Sequence, residues 1–318
     1  MNIERVAKNS KIIVITPVYE DALSLANLVD DLELEYQNKV LVVAIDDGSI
    51  KSRLDASLFS QKKLKVVVLK LKRNVGHQKA IAVGMSYCAT IVNKDHKILI
   101  MDSDGEDTPS SSKILLKALD NPEIDIAVAE RKSRIESLRF KIFYVFYKLL
   151  FSLFTGQKIS FGNFMALKSH SIHRLISMSE LSTHIAATVI ASKLRIQKFA
   201  IDRGSRYEGT SKMNFVGLVL HGFRGLMIFN ENVLIRVGII CGIISLLSVL
   251  GIVIAIFLKT VGFSTPGWFS IALGILVIIF LQTGAITLIS LLHTGVSKKT
   301  QFEENNYKLI IEDIDISE

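Results

Sequence analysis

The chain has 318 residues, 38 Lys and Arg against 30 Asp and Glu, a formal charge of +8 and a hydrophobic content of 49%, with a mean hydropathy of +0.39. That length suits two regions, and that hydropathy is high for a soluble protein. The two cysteines, Cys88 in a predicted helix and Cys241 in an apolar span, imply no disulfide framework. The positive charge fits anionic lipid. No nucleic-acid motif accompanies it, and neither G-x-x-x-x-G-K-[ST] nor a convincing G-x-G-x-x-G occurs, so kinase, ATPase and dinucleotide readings lack support.

In chain order, Met1–Ser10 carries no apolar signal-peptide core. Lys11–Thr16 predicts a strand ending at Pro17. Asp21 is placed to cap a helix whose Leu25, Leu28, Val29 and Leu32 have helical spacing. Val40–Ile45 is a second strand, ending in Asp46-Asp47-Gly48-Ser49, and Lys65–Leu69 a third. Arg73–Gly84 reads as a strand-to-helix turn through Gly76, with Ala80 and Gly84 letting the helix pack close to a neighbour. Ile98–Met101 and Ile124–Ala129 complete five predicted strands. Strands alternating with helices predict a three-layer α/β domain with a mostly parallel sheet.

The fourth strand runs into Asp102-Ser103-Asp104, with Glu106 and Asp107 just beyond. Ligands of open α/β sheets gather at the carboxyl ends of strands. Two carboxylates one residue apart can share Mg²⁺ or Mn²⁺, which take one or two carboxylates plus substrate phosphates. The alternative is an acidic turn that only caps the strand. His170 and His173 have no companion carboxylate or cysteine and read as surface helix histidines rather than a metal pair.

Ile135–Thr155 and Met213–Glu231 each mix basic residues with Phe and Leu. They read as amphipathic helices lying in a membrane interface, the alternative being helices that pack on the sheet. Between Arg236 and Lys298 the only charged side chain is Lys259. Val237–Leu258 and Trp268–Leu292 are each long enough to cross a core about 30 Å thick at roughly 1.5 Å per residue. Lys259–Pro266 is a short turn between them, so the pair predicts a transmembrane hairpin rather than a buried hairpin of a soluble protein. Arg224, Arg236, Lys298 and Lys299 flank its open end, which puts both termini in the cytoplasm. Trp268 sits where an interfacial aromatic belongs. The expected organisation is a catalytic region over 1–212, an interface helix at 213–232, a two-span hairpin over 233–293 and a cytoplasmic tail over 294–318, acidic and loosely held from Gln301 to Glu318.

Seven motifs occur in one order: P-V-Y-E-D (17–21), D-D-G-S (46–49), N-V-G-H-Q-K-A (74–80), D-S-D (102–104), E-R-K-S-R (130–134), F-G-N-F (161–164) and R-Y-E-G-T-S-K-M (206–213). Together they resemble a family 2 glycosyltransferase of the Rossmann-like GT-A fold. Within it they look most like the polyprenyl-phosphate glycosyltransferases, such as dolichyl-phosphate mannose synthase and bacterial enzymes that load undecaprenyl phosphate. The resemblance implies that Pro17, Tyr19, Asp21, Ile45, Asp47 and Ser103 bind the donor nucleotide. It makes Asp102 and Asp104 the metal pair, joined by Glu106 where the family usually carries Gln, a carboxylate that would bind metal at least as well. Arg131, Arg206 and Lys212 match basic residues that contact the donor diphosphate and the acceptor phosphate, and Arg134 and Asn163 fall on the acceptor side. Asn163 replaces the aspartate of a Gly-Asp-Phe-Arg motif; an amide can orient a phosphate but cannot take a proton.

The residue types suit the implied chemistry. A departing nucleoside diphosphate gathers negative charge, which a divalent metal and Arg or Lys donors stabilise. A phosphate monoester, with a second pKa of about 6, is already a nucleophile and requires no strong general base. Members that act on sugar hydroxyls carry a separate Glu-Asp motif, whereas Ser160–Leu194 holds only Glu180. The expected protein is therefore an inverting enzyme of the bacterial cytoplasmic membrane, using UDP-sugar by default or GDP-sugar next, with Mg²⁺ or Mn²⁺, a polyprenyl phosphate acceptor and a possible homo-oligomer. Two rivals are a processive polysaccharide synthase, which would carry a Gln/Arg-x-x-Arg-Trp motif and more spans, and a non-catalytic membrane scaffold.

Overall fold

The computed structural model describes residues 3–131, 138–208, 215–263, 265, 267–296 and 306–317. The described residues form one eight-stranded sheet: β1 (Ile12–Val18), β2 (Val40–Asp46), β3 (Lys65–Leu71), β4 (Lys97–Ile100), β5 (Ile126–Arg131), β6 (Phe161–Lys168), β7 (Ile196–Ile201) and β8 (Ile311–Ile316). Their spatial order is β7-β5-β6-β4-β1-β2-β3-β8. β4, β1, β2 and β3 run parallel, as do β5 and β7, while β6 lies antiparallel between β5 and β4. The apolar runs that predicted β1 to β5 are buried on both faces, as a mostly parallel sheet covered by helices requires; all seven residues of β2 are buried.

The helices are α1 (Ile3–Asn9), α2 (Ala22–Tyr36), α3 (His77–Cys88), α4 (Pro109–Ala118), α5 (Leu138–Thr155), α6 (Ser169–Ile176), α7 (Ile185–Ala191), α8 (Phe215–Met227), α9 (Asn230–Thr260) and α10 (Trp268–Val296). Asp21 caps α2 by accepting from Ser24 N, and Thr108 caps α4 ahead of a proline at its first position. Gly84 of α3 presses on Ile45 and Ile15, where an added Cβ would come within 2.5 Å of Ile45 Cδ1. That contact makes a small residue necessary in α3.

Two compact units divide the chain: Met1–Tyr147 with Lys158–Ile228 and Gln301–Glu318, and Lys148–Gln157 with Phe229–Thr300. The tail was expected to hang loose, and the structure corrects this. Ile311–Ile316 adds to the sheet as β8, antiparallel to β3. Arg53 pairs with Glu312, Lys70 with Asp313 and Asp315, and Ser317 Oγ accepts from Val66 N at 3.0 Å. The acidic residues that made the tail look solvated are the counter-ions of a basic sheet edge.

In the first unit α8 presents Val216, Leu220, Phe223 and Met227 to the outside, one stripe at helical spacing. Its other side is anchored: Tyr147 Oη donates to Gly222 O at 3.2 Å, and His221 stacks on His184 with ring centroids 4.3 Å apart. Burial holds both imidazoles neutral, His184 down to about 3 and His221 down to about 4. In the second unit Phe151 meets Phe229 edge to face, and Arg236 Nη1 donates to Leu153 O at 2.8 Å, joining the end of α5 to the start of α9. α9 and α10 pack as a hairpin, and each is long and apolar enough to cross a membrane. Lys259 closes the turn over the ring of Phe269, 4.1 Å from its centroid.

Candidate active site

Register sets the site. Val18 lies opposite Asp46, and Ile15 opposite Ile100, so β1, β2 and β4 end at one edge and deliver three turns there. At the first corner Asp47 is buried and accepts from Val75 N at 2.7 Å and Gly76 N at 3.0 Å. It thereby fixes the loop that starts α3. Burial pushes its carboxyl up, with those backbone donors opposing. Gly48 at φ +70 is required, since a Cβ would meet the Arg73 carbonyl carbon at 2.4 Å. Glu20, at φ +50, accepts from the backbone of Ile50, Lys51 and Ser52 and so ties the Pro-x-Tyr turn to the loop after Ser49. Those donors hold its carboxyl below the ordinary value.

The acidic turn is equally constrained. Ser103 Oγ donates to Pro17 O at 3.2 Å, Asp107 Oδ2 accepts from Asp102 N at 3.0 Å, and Asp104 Oδ1 accepts from Glu106 N at 3.1 Å. The segment after β7 lies along it. Gly204 N donates to Glu106 O and Tyr207 N to Asp104 O, each at 2.9 Å. Gly105, at φ +89, fits under the Tyr207 ring, and Gly204 fits against Gly105 O, where a Cβ would stand at 2.5 Å. Tyr207 Oη donates to Asp31 at 2.6 Å. Arg206 reaches Asp104 Oδ2 at 2.9 Å and Glu106 Oε1 at 2.8 Å, while Arg203 pairs with the other Glu106 oxygen.

A third element closes the site from the α3 side. His77, at the start of α3, places Nε2 3.3 Å from Asp102 Oδ1 and 2.9 Å from Asn163 Nδ2 of β6. Burial opposes charge on this imidazole, yet Asp102, Asp107 and Asp104 hold it above its ordinary value.

The structure thus gathers Pro17, Ser103, Asp102, Asp104, Glu106, Arg206 and Asn163 into one network. Tyr19 is exposed beside it. Asp21 spends an oxygen on the α2 cap. Ile45 is fully buried and lies against Gly84. Arg131 ends β5, and Arg134 and Lys212 lie outside the described residues. Sequence reasoning missed His77, although it stands in the N-V-G-H motif, and Arg203, three residues before Arg206 in D-R-G-S-R.

A divalent metal can be tested against these groups. Asp102 and Asp104 are hard oxygen donors on one turn and suit Mg²⁺ or Mn²⁺ completed by substrate phosphates. Glu106, the third carboxylate of the expected set, pairs through its two oxygens with Arg203 and Arg206. Among the described residues no three His, Cys, Asp or Glu side chains cluster to hold an ion.

Comparison with known proteins matches the sequence profile "Glycosyl transferase family 2" to residues 13–173, half of the chain. The chain belongs to glycosyl transferase family 2. The family match covers β1 to β6, and with them every turn described above except that of Arg203 and Arg206. One relative is YkoT, an uncharacterised glycosyltransferase of Bacillus subtilis (strain 168), 27% identical over 80% of this chain and 76% of that one. A second is dodecaprenyl-phosphate galacturonate synthase of Rhizobium johnstonii, 26% identical over 62% of this chain; the match spans 60% of that relative's length. Among solved structures, glucosyl-3-phosphoglycerate synthase of Mycobacterium tuberculosis, in complex with Mn²⁺, UDP-glucose and phosphoglyceric acid, superposes with a TM-score of 0.51 at 12% identity, covering 74% of this chain and 82% of that one. This likeness shows the GT-A fold. Two helices long and apolar enough to cross a membrane accompany the family 2 domain.

Proposed function

We propose that the protein transfers a sugar, with inversion, from a nucleotide sugar to a polyprenyl phosphate at the cytoplasmic face of a bacterial membrane. The observation that carries the reading is the joining of an arginine-braced D-S-D turn to a chain that leaves the domain through an apolar-striped helix and an apolar hairpin. The Rhizobium relative, whose name specifies a dodecaprenyl-phosphate product, supports the same acceptor class. UDP-sugar is the default donor.

In this reading the acceptor phosphate is a dianion at neutral pH, since its second pKa is about 6. Its oxygen attacks the anomeric carbon directly, and the bond to the donor's diphosphate breaks on the opposite face. No residue has to remove a proton. Asn163 and His77 orient the incoming phosphate by hydrogen bonding from the α3 and β6 side. Arg206, with Lys212 and Arg131, bears on the charge that collects on the departing nucleoside diphosphate. Asp102 and Asp104 would hold Mg²⁺ or Mn²⁺, which supplies Lewis-acid neutralisation of that diphosphate. Pro17, Tyr19, Asp21 and Asp47 shape the nucleotide side.

Connectivity supports the topology. The residues before the hairpin and the strand after it, β8, belong to the same unit, so two crossings return the chain to the side it left. Both termini are then cytoplasmic, where nucleotide sugars are made. Cysteine placed at Thr265 is expected to react with an impermeant maleimide in intact cells and cysteine at Lys308 only after lysis; the reverse would overturn the orientation. The function itself is tested by incubating membranes with a nucleotide-sugar panel and undecaprenyl phosphate, then weighing the lipid by mass spectrometry. A hexosyl or uronosyl mass increment supports the reading. A polymer ladder, or no lipid product with any donor, refutes it.

A further inference from the structure

The ion pairs around Glu106 place an internal carboxylate where the chemistry calls for a phosphate. Glu106 is nine-tenths buried, and its two oxygens are divided between Arg203 and Arg206. Two arginines converging on one anion is a phosphate-binding arrangement, because the guanidinium fork matches phosphate and carboxylate alike. The pair is not sealed inside the core, since the side chain of Arg203 remains 38% exposed and that of Arg206 26%. Arg203 also borders a small cleft with Gly162 and Phe164, the motif that carries Asn163. The backbone beneath is fixed by the Gly204 and Tyr207 hydrogen bonds to the acidic turn. An exchange of anions therefore needs only side-chain rotation.

We propose that Glu106 is an internal competitor for a phosphate site formed by Arg203 and Arg206, and that a substrate phosphate binds by replacing its carboxylate on Arg203. The inference rests on the transferase reading for the source of that phosphate. It goes beyond it in assigning Arg203 a ligand contact and Glu106 an opposing role. Two arginines facing Glu106 and Asp104 are charge-neutral as a group, so an arriving phosphate finds no net attraction until one carboxylate gives way. A glutamine at position 106 keeps the size and removes the competing charge. The ligand chemistry is a phosphate group, with two possible sources: the nucleoside diphosphate of the donor or the monoester of the lipid.

The test is equilibrium binding to the purified full chain in detergent, at constant MgCl₂, with UDP and GDP in one arm and farnesyl phosphate in the other. Wild type, Glu106→Gln, Arg203→Gln and the double variant are compared, with hydrogen exchange of 202–207 as a second readout. Where the competent state is a minor fraction, apparent affinity falls by that fraction, so Glu106→Gln is expected to bind about tenfold more tightly and to exchange faster at 202–207. Arg203→Gln is expected to lose about tenfold, and the double variant to forfeit the gain. A gain with UDP or GDP assigns the site to the donor, and a gain with farnesyl phosphate to the acceptor. Arg203→Lys keeps the charge and should retain part of the affinity, which separates ligand contact from fold. Wild-type binding that is unchanged or weakened in Glu106→Gln overturns the exchange and leaves the transferase reading standing. Absence of binding by every variant overturns both.

Discussion

The two parallel strands β5 and β7 carry an arginine–carboxylate cluster at each end, and the clusters differ in kind. At the amino ends Asp125 accepts from Arg195 three times, through N, Nε and Nη2 at 2.7 to 3.0 Å, and once from His170 at 3.1 Å. Donors and acceptor all stand at the starts of β5, β7 and α6, and Arg195 holds the Asp125 carboxyl well below the ordinary range. At the carboxyl ends Arg203 and Arg206 follow β7 and meet Asp104 and Glu106 from a different turn. The first cluster is a staple: Asp125 takes three donors from Arg195 and one from His170, and Arg195 Nη1 also reaches Glu123 Oε2 at 3.1 Å. The second joins two loops at the edge where α/β sheets bind ligands. In the proposed reading, chemically alike pairs serve stability at one end of the strands and substrate at the other.

The comparison breaks most sharply by deletion. Asp104→Ala is expected to lower turnover by about 10³-fold, the scale for removing one group from a charge-stabilising site, while the melting temperature stays near wild type. Asp125→Ala is expected to do the opposite: a loss of about 2–3 kcal/mol of stability from severed charged hydrogen bonds, with activity per folded molecule retained. Calorimetry and a transfer assay on both variants check this. A folded but inactive Asp125→Ala, or an unfolded Asp104→Ala, would erase the distinction.

A smaller effect sharpens it. The carboxyl of Asp125 is depressed in the folded state, so the unfolded chain binds more protons there in acid. Its contribution is complete above the ordinary carboxylate pKa of about 4 and drains away as the pH falls toward the folded value. Asp125→Asn should therefore flatten the acid limb of stability against pH below about 5. Urea melts between pH 3 and 7 measure this.

Much of this was legible in the sequence. Apolar runs ending in D-D-G-S and D-S-D marked β2 and β4, because a buried parallel strand must be hydrophobic throughout and its turn must be polar. The hairpin was equally plain, since only Lys259 interrupts it. β8 was hidden: I-E-D-I-D-I reads as an acidic tail until the partner lysines of β3 and Arg53 are known. The packing of Gly84 against Ile45 was not legible either, because a resemblance transfers a position but not its contacts. Arg203 and His77 escaped because their partners come from distant segments, and spacing within a motif says nothing of contacts between motifs.

The central claim, that a phosphate monoester on a polyprenyl lipid is the nucleophile, is tested most directly by comparing undecaprenyl phosphate with undecaprenol, the same chain without the phosphate. Purified wild-type protein would be supplied with the active nucleotide sugar and MgCl₂, and glycosylated lipid quantified by mass spectrometry, with Asp104→Ala as the control. We predict product from undecaprenyl phosphate alone, and little from Asp104→Ala. Equal glycosylation of undecaprenol would contradict the account, because the phosphate would then not be the nucleophile.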